Sequence, residues 1–239
     1  MTFAKTKFRP HFLLTRFNVD WGPKGVPGRE WLTHRFSLFE RFCFPSVRAQ
    51  INQNFKWLVL FDTNTPDDFR TQIQEFSKWD NFIAIYMEKY DLELVRERIS
   101  SMIDIPGYLI TTRLDNDDAL RKDFVDVVQK FFSYQECEFI NFPAGYVWHN
   151  NEIYFSRQPS NPFISLIERV EPIRTAWCGN HREVSSIGPV RQAEVGPAWL
   201  QVVHEMNLLN RLRGIKQPLT RLVDQFAIKV SIDQAKKTL

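Results

Sequence analysis

The chain has 239 residues, of which 44% are hydrophobic and 25% charged, the composition of an ordinary globular protein with one good-sized core. Its net charge of +3 is too weak to indicate a nucleic-acid-binding protein. Three widely separated cysteines, without a Cys-x-x-Cys pair, indicate neither a zinc ribbon nor a disulfide framework, and no apolar run reaches the roughly 20 residues of a transmembrane helix.

Strands and helices alternate over the first 130 residues or so. Apolar runs predict strands at 12–19, 55–61, 82–87 and 108–114, and helical spacing predicts helices at 29–43, 47–54, 65–78, 92–102 and 119–132. Pro45 is expected to end the first helix. This alternation predicts an α/β fold with a Rossmann-like, mostly parallel sheet and flanking helices. The loop 20–28, with three glycines and two prolines, is either a nucleotide-binding loop or a plain connector.

The pattern changes after residue 134. Short strands are predicted at 137–142, 146–149 and 152–156, with Asn150-Asn151 as a hairpin turn. Residues 159–196 contain repeated prolines and are expected to be irregular, and helices are predicted at 197–213 and 219–234. This C-terminal half is therefore mixed and more irregular, and it is unable to bury a core of its own. A single domain over residues 1–239 follows.

An acidic turn follows the fourth predicted strand. Asp115, Asp117 and Asp118 lie within four residues, where their charges repel each other unless a cation or water compensates them. Mg²⁺ or Mn²⁺ held against a diphosphate would suit this turn, because such ions bind through one or two carboxylates plus substrate phosphates. Alternatively, Asp118 caps the helix that starts at Ala119 and the other two acids are solvated. Asp62 also ends a strand, and parallel sheets bind ligands beyond the carboxyl ends of their strands.

Several segments together resemble a bacterial family of rhamnosyl transferases with the GT-A glycosyltransferase fold. The matching segments are 15–19, 35–50, 55–62, 111–118 and 199–207. The resemblance implies a nucleotide-diphosphate sugar donor, a saccharide or glycolipid acceptor, Mn²⁺ or Mg²⁺ as cofactor, and a role in surface polysaccharide synthesis. It also implies a nucleotide-binding half up to about residue 132 and an acceptor-binding half from 133 to 239.

The resemblance also implies roles for individual acids. Asp62 would contact the nucleobase, Asp115 the ribose or the metal, and Asp117 the metal that bridges the diphosphate. The four residues from Asp115 allow a second register, Asp117-Asp118, and this choice stays open. Some enzymes of this fold use a late histidine as a third metal ligand, and His204 is preferred to His181 for that role. The alternative for His204 is a core histidine on the predicted helix, where it shares a face with Asn207.

Cations near the acidic turn are candidates for donor binding. Arg113 stands two residues before Asp115, so both face the same side of the strand. Arg113 therefore either contacts phosphate and orients a carboxylate, or forms a structural ion pair. Arg16, within the first predicted strand, is assigned to the donor site as well.

An inverting transferase also needs a base that takes the proton of the acceptor hydroxyl. Glu183 and Glu205 are the main candidates for this base, with Glu194 as a third. Tyr146, Trp148 and Trp177 are either platforms for an acceptor sugar or core residues.

Other functions remain compatible with the sequence. A sugar-phosphate nucleotidyltransferase would need a glycine-rich phosphate loop with a cation, and the loop 20–28 contains Lys24. A non-catalytic sugar-binding module on the same scaffold is a further possibility. A phosphatase of the dehalogenase type is disfavoured, because its Asp-x-Asp would follow the first strand. The expected location is the cytoplasm, at most peripheral at the inner face of the membrane.

Overall fold

The computed structural model describes residues 10–20, 22, 27–103, 107–205 and 212–230. Its strands are β1 (His11–Arg16), β2 (Lys56–Asp62), β3 (Phe82–Met87), β4 (Tyr108–Arg113), β5 (Ala119–Leu120), β6 (Cys137–Asn141), β7 (Ala144–His149), β8 (Glu152–Arg157), β9 (Ile164–Arg169), β10 (Val190–Gln192), β11 (Trp199–Val202) and β12 (Ile215–Gln217). Its α-helices are α1 (Arg29–Leu38), α2 (Phe44–Arg48), α3 (Asp67–Ser77), α4 (Leu92–Ser100), α5 (Phe124–Lys130) and α6 (Thr220–Val223). No helix in this described part combines the length and hydrophobicity that crossing a bilayer requires.

The larger sheet has seven strands in the order β10-β6-β9-β4-β1-β2-β3. Strands β4, β1, β2 and β3 are mutually parallel neighbours, and β9 runs antiparallel between β4 and β6. Helices α1, α3 and α5 pack on one face of this sheet, whereas α4 packs on the other. The predicted α/β class with a mostly parallel sheet is confirmed. The assignment of a single domain with two functional halves stays a prediction.

The smaller sheet has five strands in the order β12-β8-β7-β11-β5. Its central hairpin, β7–β8, turns at Asn150 and Asn151, whose φ angles of 49° and 61° are both positive. Asparagine tolerates this conformation better than other residues with a side chain, so the predicted hairpin turn is confirmed.

Pro45 does not end the first helix, contrary to the prediction. The chain stays helical from Arg29 to Arg48, because a π-helical turn, Phe39–Cys43, joins α1 to α2. In this turn the backbone N–H of Phe44 donates to the carbonyl of Phe39, one residue further back than in an α-helix. Pro45 then stands in the first turn of α2, where its missing N–H costs nothing.

Four predictions for other segments are wrong. Residues 159–196 are not merely irregular, because they contain β9 in the middle of the larger sheet and β10 at its edge. The helix predicted at 197–213 is replaced by β11, whose four residues are all buried, and residues 206–211 lie outside the described part. A buried apolar run of this length fits a strand as well as a helix. The helix predicted at 219–234 is reduced to α6, and the helix predicted from Ala119 begins only at Phe124.

Candidate active site

Three candidate residues end neighbouring parallel strands of the larger sheet. Arg16 ends β1, Asp62 ends β2 and Arg113 ends β4. Side chains alternate between the two faces of a strand, so these three project on the face that α4 covers. The same face carries the core residues that precede each of them by two or four positions: Leu14, Leu60 and Leu109. Two cations and one acid thus share one edge and one face of the sheet.

Arg16 and Arg113 both pack on the indole ring of Trp177. The guanidinium carbon of Arg16 lies 3.7 Å from a ring centroid of Trp177, and that of Arg113 lies 3.9 Å from one. The indole N–H donates to the carbonyl of Leu14 and fixes the ring against β1. Burial lowers the pKa of Arg16 to about 10. The charge of Asp115 opposes this shift, and the charge of Arg113 adds to it. Two guanidinium groups held this close form a site that an anion would stabilise.

The carboxylate of Asp62 is fully buried, and only one of its two oxygens accepts a hydrogen bond from a described residue. Its Oδ1 accepts a hydrogen bond from the backbone N–H of Asn64 at 2.7 Å. Its Oδ2 is buried and has no hydrogen-bond partner among the described residues. A buried carboxylate oxygen without a donor is costly, so Oδ2 is a ready acceptor for an N–H group of a ligand.

The acidic turn is held by its neighbours on both sides. The amide group of Asn116 accepts from Nη1 of Arg35 at 3.0 Å and donates to the carbonyl of Phe17 at 3.0 Å. Oδ1 of Asp118 accepts from the backbone N–H of Val202 in β11 at 2.8 Å. Asp118 therefore joins the turn to the smaller sheet and does not cap a helix. Asp115 is only partly buried, and it remains the more accessible acid of the turn.

Asp117 lies at the centre of a charged network. Its Oδ2 contacts Nη1 of Arg35 and lies 3.0 Å from Nε2 of His204. The other ring nitrogen of His204, Nδ1, lies 3.1 Å from Nε2 of His34. Burial would raise the pKa of Asp117, but the hydrogen bond from His204 and the charge of Arg35 outweigh it and lower that pKa. Burial and the charges of Asp117 and Asp115 hold the pKa of Asp118 well above its usual range.

The contact between Asp117 and His204 fits a pair of ligands to one cation. Nε2 of His204 donates a hydrogen bond to Oδ2 of Asp117 here. In the other tautomer Nδ1 would donate to Nε2 of His34, and Nε2 would then offer its lone pair to a cation bound beside Asp117. Metal-bound histidines commonly use their second nitrogen in this way. Three carboxyl groups lie within the turn, and Arg35 is the cation that contacts Asp117. A divalent ion therefore fits here, although it would have to replace Arg35 at Oδ2 of Asp117.

The protein supplies only part of such a coordination sphere. Among the described residues, no group of three His, Cys, Asp or Glu side chains has the arrangement of a complete metal site. Substrate phosphates would have to provide further ligands, as is usual for Mg²⁺. The structure brings Asp117 and His204 together, but His204 follows strand β11 and does not lie on a helix. Asn207, predicted to share its face, lies outside the described residues.

The remaining candidates lie in different places. Glu205 is exposed and lines a cleft together with His204. Glu194 forms an exposed ion pair with Arg157. Glu183 is exposed just before a 3₁₀ turn, and no contact in the described part of the chain joins it to the acidic turn. His181 is partly buried, and burial together with the charges of Arg113 and Arg182 lowers its pKa to about 4.

The predicted aromatic platforms are core residues. Tyr146, Trp148 and Trp177 are 4%, 4% and 9% exposed, which leaves no open ring face for a sugar. Sequence reasoning gave no role to Arg35 or His34. The available signal was the position of Arg35, which interrupts the apolar stripe of Leu32, Phe36 and Phe39 on α1. A charged residue on such a stripe indicates a buried ion pair.

Comparisons with solved structures give distant likenesses. The crystal structure of residues 1–349 of TarS from S. aureus matches 81% of this chain and 60% of that chain, at 10% identity and a TM-score of 0.47. The same fragment in complex with UDP matches 82% and 60%, at 12% identity and a TM-score of 0.41. The inositol-1-phosphate CTP transferase from T. maritima matches 81% and 89%, at 10% identity and a TM-score of 0.40. This chain thus spans about 60% of the TarS fragment, and no functional conclusion rests on these likenesses.

No curated protein matches the sequence. A family model described as "Putative rhamnosyl transferase" matches residues 28–215. The match covers most of the chain and includes α1, the acidic turn and His204. The chain therefore belongs to the rhamnosyl transferase family of glycosyltransferases.

Proposed function

We propose that this protein transfers a sugar, rhamnose in keeping with the family name, from a nucleotide-diphosphate sugar to a saccharide or glycolipid acceptor. The observation that carries the proposal is that three features lie at one edge of the sheet. They are Asp62, whose Oδ2 lacks a hydrogen-bond donor among the described residues, the two arginines Arg16 and Arg113 on Trp177, and the acidic turn. Each of these groups suits a different part of such a donor. Family membership is the support for a role in surface polysaccharide synthesis.

The donor would bind along the carboxyl ends of β2, β1 and β4. Oδ2 of Asp62 would accept an N–H of the nucleobase, since it is the buried acceptor that lacks a donor. Arg16 and Arg113 would bind the diphosphate, because guanidinium groups pair well with phosphate oxygens. Asp117 and His204 would hold Mn²⁺ or Mg²⁺ together with phosphate oxygens of the donor. The ion would supply positive charge where the leaving diphosphate becomes more negative.

Glu205 is the candidate base for the acceptor. In the proposed transfer, the acceptor oxygen bonds to the anomeric carbon as the bond from that carbon to the diphosphate oxygen breaks. The electron pair of the broken bond goes to the diphosphate, and the hydroxyl proton goes to the carboxylate of Glu205. The position of Glu205 beside His204, at the mouth of a cleft, supports this assignment over Glu183 and Glu194.

A panel of nucleotide-diphosphate sugars tests the donor assignment. Unmodified protein is heated with UDP-glucose, UDP-galactose, GDP-mannose or dTDP-rhamnose, each with Mn²⁺, with Mg²⁺ or with EDTA. A donor present at 100 times its Kd adds about 2.7 kcal/mol to the free energy of unfolding, or roughly 5–10 °C in Tm for a chain of this size. We expect this rise for one nucleotide class, larger with metal than with EDTA, and slow release of the nucleoside diphosphate. If none of the four shifts Tm, the transferase proposal is wrong.

Glu205→Gln tests the base. This change keeps the shape of the side chain and removes its charge, so transfer is expected to slow by about 10²–10⁴-fold. The Tm shift produced by the donor should stay the same, because no contact within the described part of the chain joins Glu205 to Asp62, Arg16 or Arg113. Glu97→Gln, an exposed residue on α4, is the matched control and should leave the rate unchanged. An unchanged rate in Glu205→Gln would remove this residue from the mechanism.

A further inference from the structure

A cleft of about 510 Å³, lined by both polar and apolar side chains, lies between α1 and the β7–β8 hairpin. Its volume is in the range of small-molecule binding sites. Side chains from α1 form one wall, the hairpin turn forms the opposite wall, and the chain after β11 closes one end. The residues that matter for the argument below are Glu30, His34, Arg41, His149, His204 and Glu205.

His204 connects the cleft to the acidic turn. His34 and His204 line the cleft, and Nε2 of His204 lies 3.0 Å from Oδ2 of Asp117. The proposed donor groups Arg16 and Arg113 lie on the opposite face of the larger sheet from α1. A molecule in the cleft therefore reaches the acidic turn from the α1 side of the sheet, whereas the donor would contact Arg16 and Arg113 on the opposite side.

The walls of the cleft present fixed hydrogen-bonding groups. Nδ1 of His149 donates to the carbonyl of Val203 at 3.2 Å, and Nε2 of His149 accepts from the side chain of Asn150 at 3.1 Å. Nη2 of Arg41 donates to Oδ1 of Asn151 at 3.2 Å. These bonds hold the polar groups in place before a ligand arrives, which lowers the entropic cost of binding.

The charges in the cleft nearly balance. Glu30 and Glu205 are exposed carboxylates, whereas the guanidinium of Arg41 lies 4.9 Å from the ring of Phe42 and 5.4 Å from that of Trp148. Arg41 forms no salt bridge with any described residue, so its remaining N–H groups can donate to a ligand. The balance of donors and acceptors disfavours a strongly charged ligand and suits a neutral molecule rich in hydroxyl groups.

We propose that this cleft binds the acceptor, a neutral carbohydrate whose hydroxyl groups bridge Arg41 on one side and the carboxylates of Glu30 and Glu205 on the other. The inference rests on the proposed transferase function, because only that function gives the site beside Asp117 a reason to receive a second sugar. It goes further by naming the surface, its polar contacts and the class of ligand.

Ligand-observed NMR by saturation transfer tests the cleft with defined probes. Methyl α-L-rhamnopyranoside, methyl β-D-glucopyranoside and methyl β-D-galactopyranoside are titrated into unmodified protein, Arg41→Ala and Arg48→Ala. Arg48 is the matched control, because it lies on the same continuous helix but packs on Phe44, away from the cleft. We expect at least one glycoside to bind, about tenfold more weakly to Arg41→Ala and equally to Arg48→Ala.

Two results would overturn the inference. One is that none of the three glycosides binds unmodified protein; the other is that Arg41→Ala binds them as well as unmodified protein does. Glu30→Ala changes an exposed side chain in the same cleft and replaces Arg41→Ala if that variant fails to fold. Glycoside binding without any Tm shift from nucleotide sugars would support the cleft and contradict the transferase proposal. That combination of results would identify the protein as a sugar-binding module.

Discussion

Asp117→Asn is expected to lower sugar transfer by about 10³-fold in a protein that still folds. Asp117 is the acid that contacts both Arg35 and His204, so its charge fixes both side chains beside the proposed metal site. Removing one preorganised electrostatic group of this kind costs about 10²–10³-fold in rate. Loss of the proposed metal ligand should also reduce the extra Tm rise that Mn²⁺ gives with the donor. The measurements are the initial rate of transfer and the donor-induced Tm shift.

The fold is expected to survive this change because two effects oppose each other. Arg35, with a side chain that is only 12% exposed, loses a charged partner, and breaking a buried pair costs about 3–5 kcal/mol. Asn116 still accepts from Arg35, and Asp118 loses a like-charged neighbour that holds its pKa high. Asp68→Asn, which removes an exposed ion pair with Arg29, is the control and should leave transfer unchanged. If Asp117→Asn retains more than a tenth of the rate, the register of the acidic turn is wrong.

Much of the N-terminal half of the fold follows from local sequence. Strands β1 to β4 are apolar runs between clear helix starts, so their alternation with helices predicts parallel pairing. That pairing is sufficient to place Asp62 and Arg113 at one edge, whereas Arg16 lies inside the strand predicted at 12–19. The acidic turn after β4 is equally a local feature, and its position at that edge required no long-range information.

The remaining errors concern contacts between distant parts of the chain. Strand β9 pairs with β4, more than 50 residues earlier, and nothing in its own sequence specifies insertion next to that strand. Strand β11 is buried between β7 and β5, and a four-residue apolar run does not distinguish strand from helix. Arg35 meets Asp117 across 82 positions, so no spacing rule predicts their pairing. His204 reaches Asp117 from a strand end, where the sequence pattern indicated a helix.

Arg113→Met is expected to weaken binding of a nucleoside diphosphate by about 10–100-fold while leaving binding of the nucleoside nearly unchanged. Methionine keeps the length and packing of the side chain on Trp177 but removes its charge. A hydrogen bond to a charged group contributes about 1.5–3 kcal/mol, which corresponds to this change in Kd. Calorimetric titration with UDP, dTDP and GDP, and with the three nucleosides, measures both values.

The contribution of charge can be separated from that of structure. Arg169→Met is the control, because Arg169 pairs with Tyr108 at the amino end of β4 and therefore lies at the opposite edge of the same sheet. Added salt screens charge–charge attraction, so raising NaCl from 0.05 to 0.5 M should weaken diphosphate binding more in unmodified protein than in Arg113→Met. Equal losses for nucleoside and diphosphate would show that Arg113 acts only by packing on Trp177. In that case Arg16 and Arg113 would form a structural stack, and the diphosphate would have to bind elsewhere along the sheet edge.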